Sequence, residues 1–331
     1  MSMDSPYSPL EFAVLNGWQR DFPLQPRPYA VMAEKLGAGE AALLDTVRRL
    51  HGRGAISRVG AVFAPGRIGA GTLATLAAPV ERLEEIAALV SKRAEVNHNY
   101  QREHHWNLWF VATTRSQPAL QGCLTAIEEE TGCQVLAMPL RREYHIDLGF
   151  DLAASGAVER PKIAIREIRP RVLSAAEERL CEVLEPGLPL LAEPYAELAR
   201  QCGLSETEVL RYLGQWREDG LIKRFGVVVR HHEMGFRANA MVVFDIADDE
   251  VDAVGARLAT EPAVTLCYQR QRCAPQWPFN LYCMVHGRDR SEVEPAVDRL
   301  AAAAGRKPTV LFSVRRFKQC GARYFSSGKT A

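Results

Sequence analysis

FPLQPRPYAVMAEKLG (Phe22–Gly37) and LPLLAEPYAELARQCG (Leu188–Gly203) are two versions of one segment, 166 residues apart. The same offset pairs Tyr29 with Tyr195, Glu40 with Glu206, Gly54 with Gly220, Gly60 with Gly226 and Gly69 with Gly235. GAISRVGAVF (Gly54–Phe63) thus lies over GLIKRFGVVV (Gly220–Val229). Farther on, Tyr100-Gln101-Arg102 matches Tyr268-Gln269-Arg270 at an offset of 168. Asn107-Leu108-Trp109 matches Asn280-Leu281-Tyr282 at 173, and Arg141-Arg142 matches Arg315-Arg316 at 174. An offset that grows in small steps is what loop insertions produce in a duplicated chain. The 331 residues read as two homologous halves, about 1–150 and 173–325.

Each half divides again. In the second, Glu193–Gln201 and Glu206–Trp216 carry apolar residues at helical spacing, with Gly203 at the turn and Ser205 as N-cap. Ser174–Leu184 opens Ser-Ala-Ala-Glu, a capping box. Three short helices followed by a strand edge predict a winged-helix-like helix-turn-helix head, repeated in the first half from about Leu10 to Gly54. The body of the first half reads as strand Ile56–Phe63, helix Pro79–Ser91, strands Glu95–Arg102 and Trp106–Thr113, helix Gln117–Thr131 and strand Gln134–Leu140. The second reads as Ile222–Arg230, Glu250–Thr260, Val264–Arg270, Phe279–Val285, Ser291–Ala303 and Thr309–Val314. This β-α-β-β-α-β order predicts a ferredoxin-like unit in each half, an α+β fold. The expected boundaries are a head over 1–58, a body over 59–150, a linker over 151–172, a second head over 173–225 and a second body over 226–326. Pro161 and Pro170 interrupt any helix in the linker.

Composition narrows the function. Hydrophobic residues make up 47% and charged residues 24%, as in ordinary globular chains. Lys+Arg is 41 against Asp+Glu 40, a net charge of +1, without the basic excess of a nucleic-acid binder. The helices that would read DNA begin Gly39-Glu40-Ala41-Ala42 and Ser205-Glu206-Thr207-Glu208, whose carboxylates repel phosphate. No DNA binding is expected. No apolar run approaches the roughly 18 residues of a membrane span. MSMDSPYSPLEF at the start has neither a basic nor an apolar signal region, so a cytoplasmic location with reduced thiols is expected for the eight cysteines, none in a CxxC pair.

A helix-turn-helix head joined to a ferredoxin-like body resembles the Lrp/AsnC regulators, and that resemblance keeps a regulator sensing a tetrapyrrole or amino acid as the alternative. Four longer motifs are more specific: VNHNYQREHHWNLWFV (Val96–Val111), YHIDLGFDL (Tyr144–Leu152), LCYQRQRCAPQWPFNLYCMVHG (Leu266–Gly287) and SVRRFKQCGARYF (Ser313–Phe325). They resemble the siroheme decarboxylases of haem d1 biosynthesis, of the fused NirD–NirL type and related to the AhbA–AhbB pair. The resemblance covers nearly the whole chain. It implies conversion of siroheme to 12,18-didecarboxysiroheme with release of carbon dioxide, relic heads, and no added cofactor, the iron arriving within the substrate. It also implies that the two halves pair within the chain, with a homodimer of the fused chain as a further expectation.

Siroheme is a flat iron tetrapyrrole rimmed with carboxylates, so a site needs cations at the rim, apolar faces and a proton donor. Arginine suits the rim because its planar fork pairs bidentately with a carboxylate. Alternate strand residues share a face, which groups His98, Tyr100, Arg102 and His104 in one half and Leu266, Tyr268, Arg270 and Arg272 in the other. Each residue alone reads equally as a solvated or core residue; the repeat of Tyr-x-Arg points to a site. Arg102, Arg270, Arg272, Tyr268, Arg142, Arg316, His105 and Trp109 are the expected substrate contacts, and His98, His104, His145 and Tyr100 the expected catalytic groups. His98 or His104 is the expected axial ligand to the substrate iron, since imidazole is a common haem ligand. Leu266 and Arg272 replace two histidines in the second half, so the histidine chemistry is expected mainly in the first. Asp147 is placed to orient His145; His231 and His232 could face a pocket; His51 and His286 read as surface residues. Trp106, Trp277 and Phe279 read as core or as macrocycle contacts, and the turn with Pro275 and Pro278 as a lid.

Overall fold

The computed structural model describes residues 6–146, 166–229 and 238–325. His231, His232, Asp147 and most of the expected linker lie outside them. The described chain forms two compact units, each assembled from both halves.

The first unit contains helices α1 (Pro9–Gly17), α2 (Pro28–Leu36) and α3 (Glu40–Gly52) and strand β1 (Ile56–Phe63). Their second-half counterparts are α6 (Ala175–Leu184), α7 (Pro194–Cys202), α8 (Glu206–Glu218) and β7 (Ile222–Val229). Ser8, Ser174 and Ser205 each cap a helix in a complete capping box, with Glu11, Glu177 and Glu208 reaching back. Gly37 and Gly203 end α2 and α7 in the left-handed conformation. The strands expected to open the ferredoxin-like bodies instead pair with each other, antiparallel, with Gly60 opposite Gly226. The repeated glycines mark where backbone crosses backbone. A Cβ on Gly226 would stand 2.5 Å from the carbonyl oxygens of both Trp18 and Gln19, and one on Gly60 would stand 3.3 Å from Gly187 Cα. The segment after α1 thus packs on the second-half strand, and the segment after α6 on the first-half strand, with Val227 and Leu188 N–H groups donating to Trp18 and Val59 carbonyls.

The second unit is a β structure flanked by helices. Its first-half strands are β2 (Ala70–Leu76), β3 (Val96–Arg102), β4 (Leu108–Thr114) and β5 (Val135–Ile146); its second-half strands are β8 (Ala238–Phe244), β9 (Val264–Arg270), β10 (Leu281–Gly287) and β11 (Thr309–Gln319). A short β6 (Arg166–Glu167) joins the edge of β5. The bodies therefore begin with β2 and β8, which the periodicity reading missed; β2, AGTLATL, is too rich in small residues to show alternation. The order β5-β2-β4-β3-β11-β8-β10-β9 returns to β5, so the eight strands close into a ring. Closure uses the last strand of each half. β5 pairs with β2 through Pro139 and with β9 from Leu140 onward; β11 pairs with β8 through Phe312 and with β3 from Ser313 onward. These strands run to Ile146 and Gln319, well past the expected Leu140 and Val314.

Alternation along the strands sorts three cores. One, with Leu108, Phe110 and Ala112, lies under α4 (Leu83–Lys92) and α5 (Gln117–Thr131). A second, with Val242, Cys283 and Val285, lies under α9 (Val251–Ala259) and α10 (Arg290–Ala304). The third mixes the halves on the opposite face of the strands: Leu73, Trp109 and Met138 with Met241, Tyr282 and Leu311. Among the described residues no helix is long and apolar enough to cross a membrane.

Gly226→Ala is expected to lower unfolding stability by about 1–3 kcal/mol, because the methyl has no room between backbones. Gly214→Ala, in α8 with nothing within 4 Å of the added Cβ, should instead raise it by about 0.5–1 kcal/mol through helix propensity. Urea midpoints of the two variants, measured side by side, check both signs.

Candidate active site

The site expected in the first half is built on β3 and closed by β11. His98, Tyr100 and Arg102 share one face: the His98 and Tyr100 rings stack with centroids 6.3 Å apart, and the Arg102 guanidinium lies 5.8 Å from the Tyr100 ring centre. Arg316 stands opposite Tyr100 across the β3–β11 ladder and donates to Gln319. His104 does not extend the row as strand alternation suggested, because β3 ends at Arg102. The chain turns there, and His104 sits with its ring edge-on to Trp277, centroids 5.4 Å apart.

Arg102 is buried and donates Nη1 to the Leu311 carbonyl at 2.9 Å, while its Nε is buried without a partner. Among the described residues no carboxylate lies in salt-bridge distance of it. Burial pushes its pKa down to about 10, with Tyr268 and Tyr100 opposing the shift. A buried cation without a counter-ion is costly, and an anionic ligand is the natural relief. Burial likewise raises the Tyr100 hydroxyl, with Arg316 and Arg102 pulling the other way.

The hydrogen bonds distinguish the two histidines. The Trp106 N–H donates to His104 Nδ1 at 3.0 Å, so in the neutral ring Nε2 carries the proton. Burial, then the neighbouring His105, holds the His104 pKa below its ordinary value. His98 Nδ1 lies 2.6 Å from Asn97 Oδ1. The Asn97 amide is oriented by Nδ2 donating to Thr113 Oγ1, whose hydroxyl donates to the Arg323 carbonyl. His98 therefore holds its proton on Nδ1 and presents Nε2 as the acceptor nitrogen.

Other expected residues fall elsewhere. His145 is buried on β5 opposite Cys267 of β9, away from the β3 row. His105 is exposed, edge-on to Trp106. Trp109 is buried in the mixed core, with its indole N–H on the Trp106 carbonyl and its ring 4.9 Å from Trp277, so core packing accounts for it. Trp277 is only 1% exposed and bonds the Tyr282 hydroxyl, which anchors the proline turn in the core instead of leaving it as a lid.

The second-half row repeats the frame. Arg270 donates to the Met138 carbonyl and lies over Tyr268 and Tyr282, 4.6 and 5.9 Å from their centres. Asn107 and Asn280 receive Arg102 and Arg270 backbone N–H groups on their carbonyls and brace equivalent loops with their side chains. The remaining arginines differ. Arg272 is paired with Asp245 and Asp248, and Arg142 with Asp252.

His286, read as a surface residue, is half-buried and bonded to Thr265 and Asn239. Burial and then the Arg102 cation lower its pKa to about 4. Its position in alternation with Met284 and Tyr282 was the signal that could have found it.

Two family models match the chain. An AsnC-like ligand-binding domain matches residues 67–145 and 233–318, and a siroheme decarboxylase NirDL-like helix-turn-helix domain matches 11–56 and 177–223. The siroheme decarboxylase NirDL subunit of Paracoccus denitrificans is 42% identical over 97% of this chain and 98% of its own. The chain belongs to the NirDL siroheme decarboxylase family. The siroheme decarboxylase of Hydrogenobacter thermophilus is 30% identical over 93% of this chain and 92% of its own. A crystal structure of a siroheme decarboxylase NirDL matches with a TM-score of 0.70 and 26% identity, covering 96% of this chain and 94% of that one. The same match holds for a structure of that name in complex with an iron-uroporphyrin III analogue.

Histidine NMR titration is expected to find His286 neutral down to about pH 4 and His104 titrating below 6.5. Between pH 6.5 and about 4 the unfolded chain binds the proton that folded His286 refuses, so stability falls as pH drops through this window. Arg102→Met removes that cation and should raise the His286 pKa. An unchanged His286 titration in that variant would separate the two residues.

Proposed function

We propose that this NirDL-family chain decarboxylates siroheme at the first-half row, with Arg102 and Arg316 holding rim carboxylates, His98 ligating the substrate iron and His104 delivering the proton. The observation that carries the reading is Arg102: a buried guanidinium with an unpartnered Nε and no carboxylate in reach among the described residues. The histidine roles follow from their tautomers. A ring that ligates through Nε2 must hold its proton on Nδ1, as the Asn97 contact makes His98 do. A ring whose Nδ1 accepts from backbone carries its proton on Nε2, as His104 does in the neutral form, so Nε2 is the edge it offers a ligand; the form that donates a proton is the imidazolium.

The reaction balances simply. The C–C bond to the acetate carboxylate breaks, carbon dioxide leaves, and the electron pair remains on the methylene carbon conjugated with the pyrrole. A proton delivered to that carbon makes the methyl group. The two acetates react in turn, each consuming one proton. His104 donates from its imidazolium form and returns to the neutral ring, and the exposure of this residue lets solvent protonate it again before the next step. Tyr100, stacked on His98 and beneath the Arg102 cation, positions both. His145 and His105 receive no role in the row, and the second-half residues Tyr268, Arg142 and Arg272 hold no reacting group there.

Anaerobic incubation of the purified chain with siroheme, followed by mass spectrometry, should show two successive carboxyl losses. His104→Gln is expected to lower kcat by roughly 10²–10⁴-fold, the range of general acid catalysis. Arg102→Met should leave the unliganded chain at least as stable, since a buried cation is replaced by an apolar group of similar volume. It should weaken siroheme binding by about 1.5–3 kcal/mol, the loss of a charged hydrogen bond. An Arg102→Met variant that bound siroheme as wild type would remove the arginine from the site.

A further inference from the structure

The second-half row has kept its arginines and lost its histidines. Arg141, Arg142, Arg270 and Arg272 line an open cleft of about 560 Å³, with Gln271 and Asp248 on its wall. The acids nearby neutralise only part of this charge. Arg272 is held by Asp245 and Asp248, and Arg142 by Asp252, whose other oxygen receives the Tyr144 hydroxyl at 2.7 Å. Arg141 is exposed and contacts the neutral Gln271. Arg270 contacts a carbonyl and two aromatic faces, and its Nε is buried without a partner. Among the described residues, neither has a carboxylate in salt-bridge distance.

We propose that this cleft is a second anion site that takes the carboxylate rim of a tetrapyrrole and binds it without turnover. Arg141 and Arg270 supply the open cations. The ion-paired Arg142 and Arg272 fix the walls, so little ordering remains to be done when a ligand enters. The stacked Tyr268 and Tyr282 rings, 5.8 Å apart, lie beneath Arg270 as Tyr100 lies beneath Arg102. Leu266 occupies the place of His98 and Arg272 that of His104, so neither an iron ligand nor a proton donor is offered at those positions. The choice of a tetrapyrrole over other polycarboxylates rests on the reading that the first-half row, built on the same frame, takes siroheme.

Equilibrium dialysis of the full chain against metal-free uroporphyrin tests the number of sites, since this ligand carries the carboxylates but no iron. Two porphyrins per wild-type chain are expected. Arg141→Glu, a charge reversal at an exposed position, should leave one and keep siroheme turnover. Arg102→Met should also leave one, with turnover impaired. Citrate provides the second arm: a small polycarboxylate that occupied the Arg141 site as tightly as the porphyrin would overturn the tetrapyrrole assignment. One porphyrin per wild-type chain, or two retained by Arg141→Glu, would overturn the second site. Absence of siroheme turnover in the wild type would instead count against the first-half reading, whatever the stoichiometry.

Discussion

Two antiparallel pairings, β5 with β9 and β11 with β3, hold the eight-stranded ring closed. The arginine frame of the candidate site follows from them. A ferredoxin-like sheet alone would present β3 and β9 as edges with unpaired backbone groups, a liability in solution. Here each edge is covered by the final strand of the other half. That pairing buries Arg102 beneath the Leu311 carbonyl and Arg270 beneath the Met138 carbonyl. The same pairing brings Arg316 opposite Tyr100. Neither half alone has both the strand that carries the Tyr-x-Arg row and the strand that closes over it.

Duplication was legible in the sequence because glycines, prolines and Tyr-x-Arg are constrained by backbone and charge, and these recur at nearly constant offset. Gly60 and Gly226 kept their places because a side chain there would enter another backbone. Capping boxes were legible for the same local reason. What escaped was set by partners distant in sequence. Residues Arg141–Ile146 and Arg315–Gln319 are too polar to read as strand continuations, yet they extend because the other half offers an edge. Ile56–Phe63 alternates like a body strand but pairs with its own copy from the other half, within the first unit. His286 read as a surface residue, and its bonds to Thr265 and Asn239 come from strands distant in sequence.

The same limits shaped the site reading. Spacing correctly grouped His98, Tyr100 and Arg102 on one face, since a strand enforces alternation. It could not show that the strand stops at Arg102, so His104 was assigned to the row when it belongs to the turn beyond. Nor could it show that Arg142 and Arg272 meet aspartates from β8–α9 segments far away in sequence. An arginine read in isolation always looks available.

Charge pairing is where the two halves have diverged. At the offset of 168, Asp245 and Asp248 fall on Ala77 and Val80, which carry no charge. His104, in the place of Arg272, therefore meets an aromatic edge and a backbone N–H instead of carboxylates. An acid beside it would raise its pKa; partial burial lowers it, which makes the imidazolium a stronger acid and the neutral ring the more populated form. In the second half carboxylates pair Arg142 and Arg272, whereas Arg102 and Arg270, the arginines of the two Tyr-x-Arg rows, both bond carbonyls and both keep an unpartnered buried Nε. A single backbone plan, duplicated and closed on itself, thus gives two arginine frames that differ in the acids placed around them.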